Sequence, residues 1–271
     1  MTIRSASLTA GAEHARLLAA ALFFALLATV LLNAGCAGPN PHPVGSFERG
    51  MFYMEKGKDL EAISAFESFI RHNPTDSLAA EAQYQKAMTY MLLQEYPLAA
   101  VEFQIMRKDY PTSPFVEDAL FEEGKAYLFQ VGRVERDLTG AYEARLHFLR
   151  FSQDYPGSTY MPEVVDYMQE ISDLMVRKRL GQVRTYGHLK RYGAIAIVLD
   201  KLLIDEASSS LIPEVMWERA AVAMRLDDPD TAAEMYEKLI SQYPDGVYRD
   251  RAASALRDLD AEIEDDEDWE D

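Results

Sequence analysis

The chain contains 271 residues, of which 48% are hydrophobic, and its 45 acidic and 27 basic side chains give a net charge of −18. A surface this acidic lacks the basic stripe that neutralises phosphates, which argues against nucleic acid as a ligand. It would also be repelled by anionic lipid headgroups unless another link held it at a membrane. Because the chain has one cysteine, it cannot form an internal disulfide.

Residues 1–35 have the layout of a signal peptide, with two arginines before an apolar run over 17–32. At about 1.5 Å per residue the run covers roughly 24 Å, short of the roughly 30 Å of a hydrocarbon core, so cleavage is favoured over a permanent span. The string NAGC over 33–36 resembles a bacterial lipobox with Cys36 as the acylated first mature residue, although Leu32 lies four rather than three positions before it. The alternative is an ordinary cleaved signal with an incidental cysteine.

After Cys36, proline and glycine dominate residues 37–45, so 36–45 is predicted to be a lipidated, flexible tether. By resemblance to lipoprotein sorting rules, Ala37 rather than aspartate after the cysteine indicates the outer membrane. From Ser46 onward, apolar-periodic segments alternate with short breaks, and no strand-like alternation is found. The predicted fold is therefore all-α.

Four of the helical segments end in similar strings, FIRHNP, RKDYP, FSQDYP and ISQYP. Their closing prolines are Pro74, Pro111, Pro156 and Pro244. Because the last gap is about twice the one before it, we expect one further unit with a degenerate ending in between.

These segments carry the tetratricopeptide pattern, in which a small residue and an aromatic in the first helix precede alanine, an aromatic and a closing proline in the second. The matching residues are Gly50, Tyr53, Ala62 and Phe66 in the first unit, Ala87, Tyr90, Ala99 and Phe103 in the second, Gly124, Tyr127, Ala144 and Phe148 in the third, and Ala220, Ala232 and Tyr236 in the last. We predict a solenoid of about five helix-turn-helix units, with repeats 1–3 over 46–156 and repeats 4–5 plus a capping helix over 157–263.

The fourth unit is the least regular. The pattern predicts a long helix from about Pro162 to Leu180, a short one over Arg184–Leu189, and a second helix around Ala194–Leu203. The capping helix is expected over Tyr248–Ile263. Residues 264–271 carry too many like charges to fold alone, so we predict an acidic disordered tail.

No catalytic or metal-binding constellation can be recognised in the sequence. His72, His147 and His188 lie far apart without metal-ligand spacing, and no phosphate-binding loop or nucleophile elbow occurs. The acidic pair Glu122-Glu123 is typical of a solvated helix face. We predict a protein that is not an enzyme and needs no cofactor or metal.

The predicted function depends instead on a protein-binding surface. Tetratricopeptide geometry would point these first-helix residues of units 1–3 into a concave groove: Phe47, Met51, Met54, Tyr84, Met88, Met91, Phe121, Lys125 and Leu128. Methionine and aromatic side chains adapt to irregular partners, so such a groove would suit extended or varied apolar peptides. The same spacing also fits packing between repeats, and the two interpretations stay open.

The stretch ERDLTGAYEARLHFLRFSQDYPGSTY over 135–160, together with the lipobox, the tether and an insertion around 131–140, resembles the BamD family of outer-membrane lipoproteins. That resemblance implies a scaffold of the β-barrel assembly machinery, at the periplasmic face of the outer membrane among the other lipoproteins of that machinery. Its N-terminal units would receive unfolded outer-membrane proteins, and its C-terminal units would dock the β-barrel insertase through the insertase's periplasmic domains.

One contact residue follows from the same resemblance. The family has Asn-Arg at its insertase contact where this chain has Asp200-Lys201, and lysine keeps the charge but loses the bidentate fork. The alternative is a tetratricopeptide-repeat lipoprotein that coordinates cell-wall synthesis or a secretion apparatus, which has the same anchor and repeats.

Overall fold

Eleven α-helices form the part of the chain that the computed structural model describes, residues 40–132 and 137–267, and no strand occurs in these ranges. The predicted signal peptide, Cys36 and residues 37–39 of the tether lie outside them, as do residues 133–136 of the insertion and the last four residues of the tail. All eleven helices belong to one compact unit that begins at Val44, and of the preceding unit only residues 40–43 are described.

The helices are α1 (Phe47–Glu55), α2 (Asp59–His72), α3 (Ala79–Leu92), α4 (Tyr96–Asp109), α5 (Val116–Phe129), α6 (Thr139–Asp154), α7 (Met161–His188), α8 (Tyr192–Asp205), α9 (Ile212–Met224), α10 (Pro229–Gln242) and α11 (Arg249–Glu267). Each helix packs against the next one along the chain. Five pairs, α1–α2 to α9–α10, are followed by α11. The predicted all-α repeat solenoid is therefore confirmed.

The turn inside each pair uses a repeated backbone motif. In four pairs it contains one residue in the left-handed conformation, namely Gly57, Gln94, Lys190 and Asp227. The following amide donates to a carbonyl five residues back, as Lys58 N does to Tyr53 O (2.9 Å) and Arg191 N to Tyr186 O (3.0 Å). This bond satisfies a carbonyl that the end of the first helix would otherwise leave unpaired.

The turn between pairs repeats as well, and it locates the degenerate ending. The second helices end before Asn73, Tyr110, Tyr155, Glu206 and Tyr243. Three residues later an amide donates back to that residue's carbonyl, as Asp76 N does to Asn73 O (3.1 Å) and Ser209 N to Glu206 O (2.8 Å). Glu206-Ala207 therefore replaces the Tyr-Pro of the neighbouring units, and the backbone turn is kept.

The predicted break between Leu180 and Arg184 is wrong, because α7 runs without interruption over 28 residues. Its first half packs Val164 and Ile171 into a cluster with α6. Its second half packs Leu180 and Val183 into a cluster with α8 and α9. A single exposed glycine, Gly181, costs only about 1 kcal/mol in a helix interior, which burial of both halves outweighs.

The second helix of the fourth unit and the capping helix are each longer than predicted. Helix α8 begins at Tyr192 and ends at Asp205, two residues beyond the predicted Ala194–Leu203 at each end. Helix α11 ends at Glu267 rather than at Ile263. The first four residues of the predicted disordered tail are thus helical.

Contact between a small residue and an aromatic ring holds the two helices of a unit together. A Cβ at Gly124 would lie 2.8 Å from Cε1 of Phe148, and one at Gly50 would overlap the ring of Phe66. Both rings are fully buried. In the fourth unit Val183 and Leu199 occupy the equivalent positions and lie in the same buried cluster. The first-helix residue is larger there than glycine, and the second-helix residue is smaller than phenylalanine.

This packing predicts opposite effects of the same substitution at two helical glycines. Gly124→Ala should lower the free energy of unfolding by about 1–3 kcal/mol, because the added methyl overpacks against Phe148. Gly181→Ala should raise it by about 0.5–1 kcal/mol, because no atom lies within 4 Å of the added Cβ and alanine is the better helix former. Urea unfolding followed by circular dichroism measures both, and equal effects would contradict the proposed close approach.

Candidate functional site

Exposed apolar side chains recur on the second helices of the middle three units. Val101, Leu146 and Ile197 occupy the same repeat position in α4, α6 and α8, nine residues before the first residue after each helix. Their side chains are 51%, 60% and 71% exposed. At the same repeat position α2 and α10 carry Ser64 and Glu234. Together with Leu98, Ile105, Tyr142, Leu149 and Ile204, which are also exposed, these three residues form what we call the second-helix face. Exposed apolar residues that recur at one repeat position make this face a candidate interaction site.

The second-helix face borders a cleft of about 610 Å³ between α6, α7 and α8, here called the α6–α8 cleft. Tyr142 lines it from α6, Met175 and Arg179 from α7, and Ile197 and Lys201 from α8. The cleft therefore combines apolar walls with cationic side chains in a protein that is acidic overall. Such a site suits a folded partner that presents apolar and acidic residues together.

A polar network fixes the shape of this cleft. Arg145 of α6 donates from both terminal nitrogens to the Glu206 carboxylate, at 3.0 and 2.6 Å, and Glu206 is nearly buried. Asp173 of α7 accepts from Ser209 Oγ at 2.6 Å and from the Ser210 amide at 2.8 Å. These bonds fasten the turn after α8 to both α6 and α7, so residues far apart in sequence hold the cleft in one geometry.

The pair Asp200-Lys201 is divided between two environments. Asp200 forms an ion pair with Arg219 of α9. The Lys201 side chain is 68% exposed, lines the α6–α8 cleft and lies 3.8 Å from Asp205 in the same helix. An exposed i, i+4 pair contributes only a few tenths of a kcal/mol, so Lys201 can turn towards a partner at little cost.

The predicted groove residues of the first unit pack between helices and remain partly exposed. Phe47 contacts the rings of Phe66 and Phe69, with centroids 5.8 and 5.9 Å apart. Met51 and Met54 lie against the same buried cluster. Their outer surfaces are accessible, so these three side chains combine packing with a surface that a partner could contact.

The second unit follows the same arrangement. Tyr84 stacks on Phe115 with ring centroids 5.2 Å apart, and Met88 and Met91 lie partly exposed against the buried cluster of α3, α4 and α5. In these first two units the structure brings the predicted residues together along the first helices. Whether they bind a partner stays a prediction.

The third unit differs because two of its three predicted groove residues are buried. Phe121 and Leu128 are 2% and 3% exposed, and Phe121 stacks on Tyr160 with centroids 4.4 Å apart. A partner cannot reach them in this conformation, and they contribute to packing. Lys125 is the accessible member, with Nζ 2.7 Å from Glu122 Oε1.

Glu123 does not lie on a solvated face, so the interpretation of the Glu122-Glu123 pair as solvated is wrong for this residue. Its side chain is fully buried between α4 and α6, 2.9 Å from Arg107 and 3.6 Å from His147 Nε2. Burial raises the pKa of Glu123 to about 7, against the opposing effect of Arg107 and Arg150. Burial also lowers the pKa of His147 to about 4, and the two arginines add to that decrease.

Sequence reasoning missed the second-helix face and the α6–α8 cleft, except for Lys201. The signal was present in α8, whose sequence YGAIAIVLDKLLID is apolar on nearly all sides. A helix of this kind has two faces to cover, one in the core and one elsewhere. Arg145 carries no comparable signal, because its partner Glu206 is 61 residues away.

Two further observations apply to the residues that the structure describes. None of their helices is both long and apolar enough to cross a membrane. No group of three or more His, Cys, Asp or Glu side chains among them is arranged to hold a metal ion.

Comparison with known families identifies the chain's relatives. Residues 41–211, which contain the first eight helices, match the model of the YfiO family, described as outer membrane lipoprotein. The chain belongs to this YfiO family. A tetratricopeptide-repeat model matches residues 214–246, which hold most of α9 and all of α10. The YfiO match therefore includes the α6–α8 cleft and most of the polar network that shapes it.

Several solved tetratricopeptide-repeat structures are distantly similar to the chain, and no curated protein matches it. The thermophilic tetratricopeptide-repeat protein TTC0263 of Thermus thermophilus is 21% identical, over 78% of this chain and 96% of its own, with a TM-score of 0.33. PilF of Pseudomonas aeruginosa is 17% identical over 77% and 95%, with a TM-score of 0.33. The type IV pilus biogenesis factor PilW is 16% identical over 82% and 93%, with a TM-score of 0.30. Scores this low carry no weight for the function of this YfiO-family chain.

The polar network yields a prediction for stability. Arg145→Ala should lower the free energy of unfolding by about 3 kcal/mol, because it leaves the Glu206 carboxylate buried without a counterion. Arg145→Ala with Glu206→Gln should recover part of that loss. Lys238→Ala, which removes an exposed ion pair of α10, should change the value by less than about 0.5 kcal/mol. Urea unfolding measures all three, and an Arg145 effect no larger than the Lys238 effect would contradict the role of the network.

Glu123 yields a prediction for pH dependence. Because its pKa is about 7 in the folded protein and near 4.5 when unfolded, its contribution to stability is fully present below about pH 4.5 and is lost as pH rises through 7. Wild type should therefore gain stability relative to Glu123→Gln between pH 7.5 and pH 5. The His147 contribution runs the other way and His147 touches Glu123, so the two proteins are compared in a His147→Gln background. Urea midpoints of the pair at both pH values measure the effect, and a constant difference would contradict the raised pKa.

Proposed function

We propose that the protein is a lipid-anchored scaffold of the outer-membrane β-barrel assembly machinery, which binds unfolded outer-membrane proteins and docks the insertase. The observation that carries the proposal is the apolar second-helix face, joined to a cleft that contains Lys201, in a member of an outer membrane lipoprotein family. The protein acts by recognition and handover and catalyses no reaction.

The insertase would dock through its periplasmic domains at the α6–α8 cleft. Ile197, at 71% exposure, would supply apolar contact area next to the charge of Lys201. Desolvation on docking strengthens a pair between Lys201 and a partner carboxylate, which in the free protein would contribute little. The bonds from Arg145 to Glu206 hold the cleft in place beforehand, so less ordering is needed on binding.

Unfolded client chains would bind the accessible first-helix residues of units 1 and 2. Met51, Met54, Met88 and Met91 are partly exposed and lie on the first helices of adjacent units. Their flexible, polarisable side chains can fit many apolar sequences. Lys125 would extend this surface into unit 3.

Acylation of Cys36 would hold the scaffold at the periplasmic face of the outer membrane. More than one acyl chain is needed for stable anchoring, because a single chain gives only marginal binding. The other lipoproteins of the machinery would be further partners at the same membrane.

The deciding experiment is affinity purification of the tagged full-length lipoprotein from detergent-extracted envelopes, with mass spectrometry of partners and of the N-terminal peptide. We expect an acylated Cys36 and the insertase. Ile197→Asp with Lys201→Glu should reduce insertase recovery at least about tenfold, equivalent to about 1.4 kcal/mol. Lys238→Glu is the matched control, because Lys238 occupies in α10 the position that Lys201 occupies in α8.

Two results would contradict the proposal. One is recovery of peptidoglycan-synthesis enzymes or secretin subunits in place of the insertase, which would support the alternative lipoprotein role. The other is an equal effect of the α8 and α10 variants, which would remove the α6–α8 cleft from the interface.

A further inference from the structure

Basic residues concentrate in one segment of this acidic protein. Residues 174–199 contain six Lys and Arg and no Asp or Glu, whereas the whole chain has a net charge of −18. The segment covers the second half of α7, the following turn and the first half of α8. It therefore forms a single helical hairpin whose charge is opposite to that of the rest of the molecule.

The tip of this hairpin exposes both cations and apolar groups. Arg184, His188, Lys190 and Arg191 are all exposed around it. Tyr186 and Leu189 are 37% and 62% exposed in the same turn. We call these six residues the α7–α8 tip.

The α7–α8 tip is rigidly formed. Lys190 adopts the left-handed conformation with φ of 51°. Its amide donates to Gly187 O, and the Arg191 amide donates to Tyr186 O, both at 3.0 Å. The backbone that carries the apolar and basic side chains is thus formed before binding, so only the side chains lose conformational freedom on contact.

The equivalent turn of the first unit also carries two lysines, Lys56 and Lys58, but those of the second and fifth units carry acidic residues. The turn of the second unit contains Gln94 and Glu95, and that of the fifth contains Asp227 and Asp228. Since the backbone motif is shared, the basic and apolar character of the α7–α8 tip comes from its side chains alone. The turn geometry does not require that character.

We propose that the α7–α8 tip is a membrane contact that binds an anionic phospholipid surface. Leu189 and Tyr186 enter the interfacial region, and Arg184, Lys190 and Arg191 meet lipid phosphates. Apolar and aromatic groups ringed by Lys and Arg are the combination that binds such interfaces. The same lipid surface repels the acidic remainder of the molecule, so only the tip makes contact. This contact fixes how the protein is oriented on the membrane.

The surroundings of the tip favour a lipid surface over an acidic peptide. The cavity beside it, of about 480 Å³, has Glu214 and Glu218 in its lining along with Arg184 and His188. Arg225 also lines the cavity, so two guanidinium groups balance the two carboxylates and the cavity offers an acidic chain no net attraction. A planar anionic lipid surface would contact the exposed side chains of the tip without entering the cavity.

This inference rests on the family's association with the outer membrane and is independent of insertase docking.

The experiment uses the full-length lipoprotein in phosphatidylcholine vesicles with and without about 30% phosphatidylglycerol. An environment-sensitive fluorophore is attached at Gly187→Cys, where an added Cβ meets no atom within 4 Å. Gly157→Cys, equally unobstructed and exposed in the turn before α7, is the matched control. The unsubstituted protein reports any labelling of Cys36.

We expect emission from the label at 187, and not at 157, to rise at least about twofold in the anionic vesicles only. About 1 M salt should abolish the rise, because it shortens the screening length to about 3 Å. Lys190→Glu with Arg191→Glu should abolish it too. Lys56→Glu with Lys58→Glu, which changes the corresponding turn of the first unit, should leave it intact.

Three results would overturn the inference. They are no rise in anionic vesicles, a rise that is unaffected by reversing the charges of Lys190 and Arg191, and an equal rise with an acidic polypeptide in the absence of lipid. The last would assign the tip to a protein partner. Insertase recovery by the Lys190 and Arg191 variant is measured in parallel, so failure of the scaffold proposal and failure of the lipid proposal are distinguishable.

Discussion

Every unit of this protein depends on how closely its two helices approach. At Gly50 and Gly124 the first helix has no side chain, and an aromatic ring of the second helix fills the space. Dense packing of this kind leaves no room for another methyl group, so the helix spacing is fixed within a narrow range. Because each unit buries its remaining apolar surface only against the next one, an error in one spacing would be passed along the array.

The fourth unit packs its two helices with different residues, and its differences create the candidate docking site. Val183 and Leu199 stand where the other units have a glycine or alanine and an aromatic residue. Glu206 replaces the closing tyrosine, and the backbone turn is retained. A carboxylate so poorly exposed needs a counterion, and Arg145 supplies it from the preceding unit. The resulting network joins α6, α7 and α8 around the cleft that contains Lys201. Structural irregularity and the proposed function therefore coincide.

Charge is distributed to match a molecule held at a membrane. The body is strongly acidic, while residues 174–199 carry only basic charges and include the α7–α8 tip, where Tyr186 and Leu189 are exposed. Repulsion of the body and attraction of the tip would act together with the predicted anchor at Cys36 to orient the solenoid. The two proposals are compatible because they use different side chains.

Helix content, repeat number and the position of most units follow from the sequence, since small residues, aromatics and prolines act over fewer than about 34 residues. Membership of the YfiO family follows from the match of residues 41–211 to the family model. Only the tertiary structure shows that α7 is continuous, that Glu123 is buried, and that Phe121 and Leu128 are packed inside. Only it joins Arg145 to Glu206 and exposes Ile197 beside Lys201. Burial and pairing depend on which distant residues meet, and no local pattern encodes that.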